Sequence, residues 1–448
     1  LDKYTEILES LAACEYSGSN WDMKFVNMIN SFRYEIDEFL IDKKTYGELY
    51  KLAEKRPFTK LNSVLEEEDL DNLSFSELKR RYSTILSILN KNKKTDDPSF
   101  NRLKEKMNSL HSNIESHLEV LNNLIERIEK LIDEIDFSYL YDKKRNLFSI
   151  GYDVLEEKMT NSYYDLLASE ARLASYVTIA RRQIPKSHWF KLGRALTEIK
   201  HYKALVSWTG TMFEYLMPPL IMKSYKNTLM HETYDTVVKA QKIYGSKRNT
   251  PWGTSESGYY AFDMNLNYQY KAFGVPDLGL KRGLVNDMVI SPYSSVLALP
   301  YAQDDAMENI NRLINDGVEG DYGLYEAIDY TPHRVPFNKN KAIIKSFMAH
   351  HQGMSFIALN NYLNEDIMQR RFHADPAMES AKILLQEKIP VRQIITKEHK
   401  DVIQPFNEKG KEPFKFEREF TDLGDPIPRC HILTNGRYST MITDGGSG

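Results

Sequence analysis

Cysteine is almost missing: Cys14 and Cys430 stand at opposite ends of 448 residues. Two such distant residues exclude a disulfide framework and a cysteine-based metal site, and they fit a reducing, cytoplasmic setting. Long apolar runs are missing too. The most apolar stretch, "FEYLMPPLIM", is short and broken by Pro218 and Pro219, so no membrane span is expected, since one needs about 20 apolar residues. An excess of positive charge is also lacking. The net charge of −4 gives no electrostatic reason to expect nucleic acid as a partner. No HExxH pattern occurs and no signal peptide is visible, so neither metal nor cofactor is expected. The chain opens on Leu1 and runs out in "YSTMITDGGSG". Both ends read as cuts through something larger.

Aromatic side chains are plentiful instead, with 28 Tyr and 20 Phe, and three of the 4 Trp (Trp189, Trp208 and Trp252) fall within one span. Residues 1–136 read as a helical region. From Pro98 to Phe137, apolar residues recur in steps of three and four (Phe100, Leu103, Met107, Leu110, Ile114 and onward to Ile135), the mark of one long amphipathic helix. From 137 to 395, Gly, Pro and aromatics become frequent. Helices are expected near 162–183, 186–197, 211–223, 227–245, 291–316, 341–363 and 376–388, with a short hairpin in "YDKKRNLFSIGYDV". Residues 396–448 turn toward strands and read as the start of a β-rich domain. The middle section is thus mainly α, with unusual residues in its loops, where sites tend to lie.

Three acids draw attention. In "NSYYDLLASEARLASYV", helical spacing puts Glu170 on the stripe of Leu166, Leu173 and Val177, with Asp165 and Arg172 facing solvent. A carboxylate among apolar groups is either a paired structural bridge or a group lining a cavity. In "WGTSESGYY", Glu256 stands between Trp252 and the pair Tyr259 and Tyr260, whose flat faces suit the C–H faces of sugar rings. Gly253 and Gly258 would let the backbone approach a ligand. In "YGLYEAIDYTPHR", Glu326 and Asp329 stand among Tyr322, Tyr325 and Tyr330, in either a turn or a site. In "KSFMAHHQGMSF", His351 shares a helical face with Phe347, Met354 and Ala358, while His350 diverges by about 100°, against a two-histidine metal site. Glycoside chemistry needs two carboxylates, a proton donor and a nucleophile or base. The acids suffice, but spacing alone leaves open which two face each other.

Five stretches in series carry a resemblance: "LFSIGYDV" with "NSYYDLLASEARLASYVTIARRQIPKSHWFKLGR", "LVSWTGTMFEYLMP", "PWGTSESGYYAFDMNLNYQYKAFGVPDLGLKRG", "YGLYEAIDYTP", and "SFMAHHQGMSF" with "MQRRFHADP". Together they resemble the glucoamylase-like domain of the cyclic β-1,2-glucan synthases, densely over 137–395. The resemblance implies an (α/α)6 toroid, incomplete here at its N-terminus, followed by the entry to a truncated phosphorylase-like domain. It implies a retaining transglycosylase that closes a linear β-1,2-glucan into a ring, beside a glycosyltransferase domain, in a synthase of the inner membrane. By the same resemblance Glu170 is the nucleophile, with Glu326 its rival for that place, and Glu256 is the acid/base. Trp208, Trp252, Tyr259, Tyr260, Tyr325, Glu326, Asp329, His350, His351 and Gln352 would hold substrate. One departure is Thr160, where the long synthases usually carry Asp. An inverting glucanase of the same fold and a non-catalytic glucan-binding scaffold are the rival readings.

Overall fold

The structure, a computed structural model, describes residues 10, 20–65, 73–91, 97–336, 338–390, 430–434 and 437–444. It divides into two compact units, 1–136 and 137–448.

The first unit is helical: α1 (Asn20–Phe39), α2 (Lys43–Ala53), α3 (Lys60–Leu65), α4 (Phe75–Asn90) and α5 (Pro98–Glu134). Local signals start these helices. Asp42 caps α2, a Ser74/Glu77 capping box opens α4, and Asp97 with Pro98 opens α5, each satisfying amides that have no partner within the helix. One core gathers Leu49, Leu61, Ile85, Leu89, Met107, Leu110 and Ile114. The apolar stripe of α5 continues past that core. Leu124, Ile128 and Leu131 are exposed.

The second unit holds α6 (Arg172–Ala180), α7 (Ser187–Lys191), α8 (Met212–Leu216), α9 (Leu229–Lys247), α10 (Pro292–Leu297), α11 (Gln303–Asn315), α12 (Ala349–Leu363), α13 (Ile367–Ala374) and α14 (Pro376–Ser380). Short antiparallel strands interrupt them. Two groups of strands matter for the site: the hairpin β1 (Glu256–Phe262) with β2 (Tyr268–Ala272), and a three-stranded sheet of β3 (Val289–Ile290), β4 (Ala327–Asp329) and β5 (Ala342–Ile344) with β4 central.

Several expected helices are shorter than their periodicity suggests. The segment 162–171 is not helical. Tyr163 and Tyr164 pair with Ser149 and Phe148. Leu167 N–H donates to Gly193 O, and Gly193 N–H donates to Asp165 O. These cross-chain bonds occupy groups a helix would use, so α6 begins only at Arg172. Arg172, expected at the surface, is buried, with Nη2 on the Tyr234 hydroxyl at 2.8 Å and Nη1 on Leu167 O at 3.2 Å. Pro218 and Pro219 end α8 in a 3-10 turn, as missing N–H donors require. The expected helix at 341–363 starts at Ala349, because Ala342–Ile344 is a strand. The terminal region holds a hairpin of Cys430–Thr434 with Ser439–Thr443, while 391–429 lies outside the described residues. No described helix is long and apolar enough to cross a membrane.

Candidate active site

Glu256 is fixed by the segment that leads into it. Asn309 of α11 brackets Trp252, accepting from its N–H at 3.0 Å and donating to its carbonyl at 2.8 Å. Gln241 of α9 does the same for Thr254, at 2.9 and 3.0 Å. Ser255 Oγ accepts from Phe213 N–H in α8 at 2.9 Å and lies 2.7 Å from the Tyr293 hydroxyl. Gly253 has φ +115, and a Cβ there would meet Ser294 Cβ at 3.1 Å, so both conformation and space call for glycine. Four helices thus hold five residues through buried polar side chains. The last of the five, half-buried, is Glu256, opening strand β1 rather than lying in a loop.

The aromatic neighbours are arranged differently from expectation. Trp252 is buried in the core and offers no face to a ligand. Tyr259 packs edge-on against Phe273, with the Arg334 guanidinium 5.0 Å over its ring. Tyr260 and Tyr268 line an open groove of about 930 Å³ with Lys339, Lys341 and Lys345. Gly258 is taken up by packing: its N–H donates to Glu326 Oε1 at 3.2 Å, and a Cβ would sit 3.1 Å from Ile344. The ring that reaches Glu256 is Tyr270, unremarked in the sequence. Its hydroxyl is 3.4 Å from Glu256 Oε2. In the β1–β2 register Tyr270 faces Gly258, so it is a diagonal neighbour of Glu256, within reach of an aromatic side chain.

Two further carboxyl groups act on Glu256. Glu170 lies in the turn before α6, half-buried, with Ser169 Oγ on its Oε2 at 3.1 Å. Its exposure owes to that turn, not to the helical stripe invoked for it. Glu214 is buried at the third position of α8 and accepts from Ser207 Oγ at 2.8 Å, Thr209 N–H at 3.0 Å and Thr211 N–H at 3.0 Å. It too went unnoticed, although "TMFE" is a capping-box signature. Burial, then the charges of Glu170 and Glu214, push the Glu256 carboxyl up to about 7. Burial and then Glu214 push Glu170 up as well. Tyr164 is raised by burial and then by Glu170 and Glu256, so the same hydroxyl feels both acids. Trp208 stays exposed, with its indole N–H on Asp165 at 3.0 Å.

Glu326 and Asp329 stand behind the hairpin, buried. Glu326 accepts from Gly258 N–H, and its oxygens lie 2.9 and 3.0 Å from His351 Nδ1. Asp329 accepts from Tyr260 N–H at 3.2 Å and from Arg334 Nε at 2.8 Å. Arg334 also pairs with Asp287, to which Lys271 donates at 2.5 Å. Desolvation raises the Asp287 carboxyl, but Lys271 and Arg334 outweigh it and hold it below its ordinary range. These groups brace the strand that carries Glu256. The histidines of α12 do not diverge as expected. Their ring centroids are 4.0 Å apart, and His350 Nε2 and His351 Nε2 lie 3.4 and 3.3 Å from the Tyr270 hydroxyl. His351 is buried, stacked on Tyr293 at 3.9 Å and 17°. Phe347, expected on its face, is exposed. Gln352 donates to Leu324 O at 3.4 Å, and Tyr325 packs on Phe347 at 5.4 Å. With Glu326 and His351, both line a cavity of about 160 Å³. Among the described residues no cluster of His, Cys, Asp and Glu could hold a metal ion.

The glycoamylase family model matches residues 162–376, an interval that contains every acid and histidine of this candidate site. The cyclic β-(1,2)-glucan synthase NdvB of Rhizobium meliloti is 42% identical over 335 residues, 72% of this chain. The chain spans only 12% of that relative's length. Two solved structures show distant likeness. An endo-β-1,2-glucanase from Chitinophaga pinensis, with sophorotriose and glucose, gives a TM-score of 0.43 at 14% identity, over 80% of this chain and 98% of that one. An endo-β-1,2-glucanase variant from Talaromyces funiculosus, with β-1,2-glucan, gives 0.39 at 11%, over 70% and 66%.

Proposed function

Starting from a chain that carries a glucoamylase-like domain akin to one segment of a cyclic β-(1,2)-glucan synthase, we propose that this protein is a retaining transglycosylase. It cuts a linear β-1,2-glucan and joins the ends into a ring, as one part of a larger synthase with glycosyltransferase and phosphorylase-like neighbours. The helices of 137–395 are assigned to an (α/α)6 toroid, and 396–448 to the start of the next domain.

One observation carries the reading. Glu256 is half-buried, phenol-bonded and driven up to about 7 by burial and by Glu170 and Glu214. A carboxyl group so placed keeps its proton near neutral pH and can give it to a leaving oxygen. Glu170 is raised as well, by burial and then by Glu214, and is assigned the nucleophile. Two carboxyl groups, one a proton donor and one a nucleophile, are what the reaction requires.

The steps balance simply. The Glu170 carboxylate attacks the anomeric carbon while Glu256 protonates the glycosidic oxygen, giving a glucosyl-enzyme and a shortened glucan carrying a new hydroxyl. Glu256, now ionised, takes the proton of the 2-hydroxyl at the far end of the tethered chain. That oxygen displaces Glu170 and closes the ring. The tethered hydroxyl outcompetes water through its high effective concentration. Trp208, exposed and with its indole N–H on Asp165, is the indole assigned to stack on glucose.

Replacing Glu256 by Gln and following linear β-1,2-glucan by mass spectrometry tests the reading. Ring products, each lighter than the linear glucan of equal length by one water, fall by a factor of about 10² or more, in line with general acid–base catalysis. Undiminished ring formation rejects it. Wild-type turnover declines as pH rises through about 7, where Glu256 loses its proton.

A further inference from the structure

The Tyr270 hydroxyl sits among three polar atoms and has one hydrogen to give. It is 3.4 Å from Glu256 Oε2, 3.4 Å from His350 Nε2 and 3.3 Å from His351 Nε2. The state of His351 is set from behind. Its Nδ1 lies 2.9 Å from Glu326 Oε1, both residues are buried, and Tyr293 stacks on the ring. A carboxylate only accepts, so Nδ1 carries a hydrogen toward Glu326, and in the neutral ring Nε2 then presents a lone pair toward Tyr270.

We propose that Tyr270 is the positioning residue for Glu256: its O–H turns between the Glu256 carboxylate and His351 Nε2, the latter held as an acceptor by Glu326. This rests on Glu256 being the acid/base. When Glu256 gives its proton to the leaving oxygen, the new carboxylate receives the phenol hydrogen bond. When Glu256 takes a proton from the incoming hydroxyl, the phenol turns back to His351. The hydrogen stays on the Tyr270 oxygen throughout and no net proton passes through it. Every ionisable group that faces the phenol takes part: Glu256 from β1, His350 and His351 from α12, Glu326 from the residue before β4, and Tyr293 from α10.

The test is titration of the Glu256 carboxyl by carbon-13 NMR in the full chain, assigned with Glu256→Gln, beside the pH profile of glucan turnover. Tyr270→Phe keeps the ring and removes the donor. The Glu256 midpoint moves up by about one pH unit, as loss of a hydrogen bond to a charged group implies. The alkaline limb of the rate profile moves with it, and kcat falls about tenfold while KM holds. His350→Ala removes a competing acceptor at an exposed position, so the same midpoint moves down. An unmoved midpoint in both variants overturns the proposal, even if kcat falls. Should Tyr270→Phe fail to fold, His350→Ala decides alone. The NMR titration needs no turnover, so a chain inactive on glucan sinks the functional reading while this pairing is still measured.

Discussion

Glu256 is the side chain on which the proposed chemistry turns. Its carboxyl, raised from an ordinary 4.5 to about 7 by burial and two neighbouring acids, makes the folded protein hold a proton that the unfolded chain releases. By linkage the stabilising effect is fully present below about 4.5, is lost as pH rises toward about 7 and is constant above that. Glu256→Gln lacks this loss. Its unfolding midpoint, followed by calorimetry, therefore gains on wild type between those two pH values and runs parallel to it above them. A difference independent of pH contradicts the burial argument. The residue was legible in the sequence as a lone acid between glycines and aromatic rings, yet the rings that made it conspicuous lie elsewhere. Trp252 is buried, and the phenol on Glu256 comes from Tyr270, fourteen positions on. Strand register alone brings them together. Glu214 stayed unread because a capping-box glutamate looks the same whether or not its charge reaches a site.

At the scale of elements, helical periodicity was informative where a helix is long and answers only to its own core. Helix α5 runs Pro98–Glu134, close to the span its apolar steps outline. It misled where a segment pairs across the chain: 162–171 has helical spacing, but its backbone groups bond to 148–149 and Gly193, and tertiary pairing outweighs propensity. Helix α5 also shows that a regular stripe does not ensure burial. Leu110 is 1% exposed and Leu131 63%. Leu110→Ala is expected to cost about 2–5 kcal/mol in denaturant unfolding, from lost transfer energy and the cavity left behind. Leu131→Ala is expected to stay within about 0.5 kcal/mol. Equal losses would mean that the outer half of the helix is covered. The β1–β2 hairpin is not announced by its own sequence, since Glu326 and Asp329, which brace it, act through buried hydrogen bonds to strand amides. No pattern in "ESGYYAF" announces them.

At the scale of the whole molecule, the glucoamylase-like match covers 162–376, and the acid cluster belongs entirely to the second compact unit, 137–448. Resemblance of motifs in series made the family legible. Geometry of side chains was not, since burial and register are properties of the assembled chain. The central claim is that Glu170 and Glu256 divide the work of one retaining reaction, and rescue by azide tests it most directly. An activated aryl β-1,2-glucooligosaccharide is offered with azide to Glu170→Ala and to Glu256→Ala, and the anomeric configuration of each glucosyl azide is read by NMR. Without the nucleophile, azide takes its place on the α face; without the acid/base, azide captures the glucosyl-enzyme from the β face. The account predicts the α-azide from Glu170→Ala and the β-azide from Glu256→Ala. The reverse pattern exchanges the two roles and contradicts the assignment, and rescue of neither variant removes both residues from the chemistry.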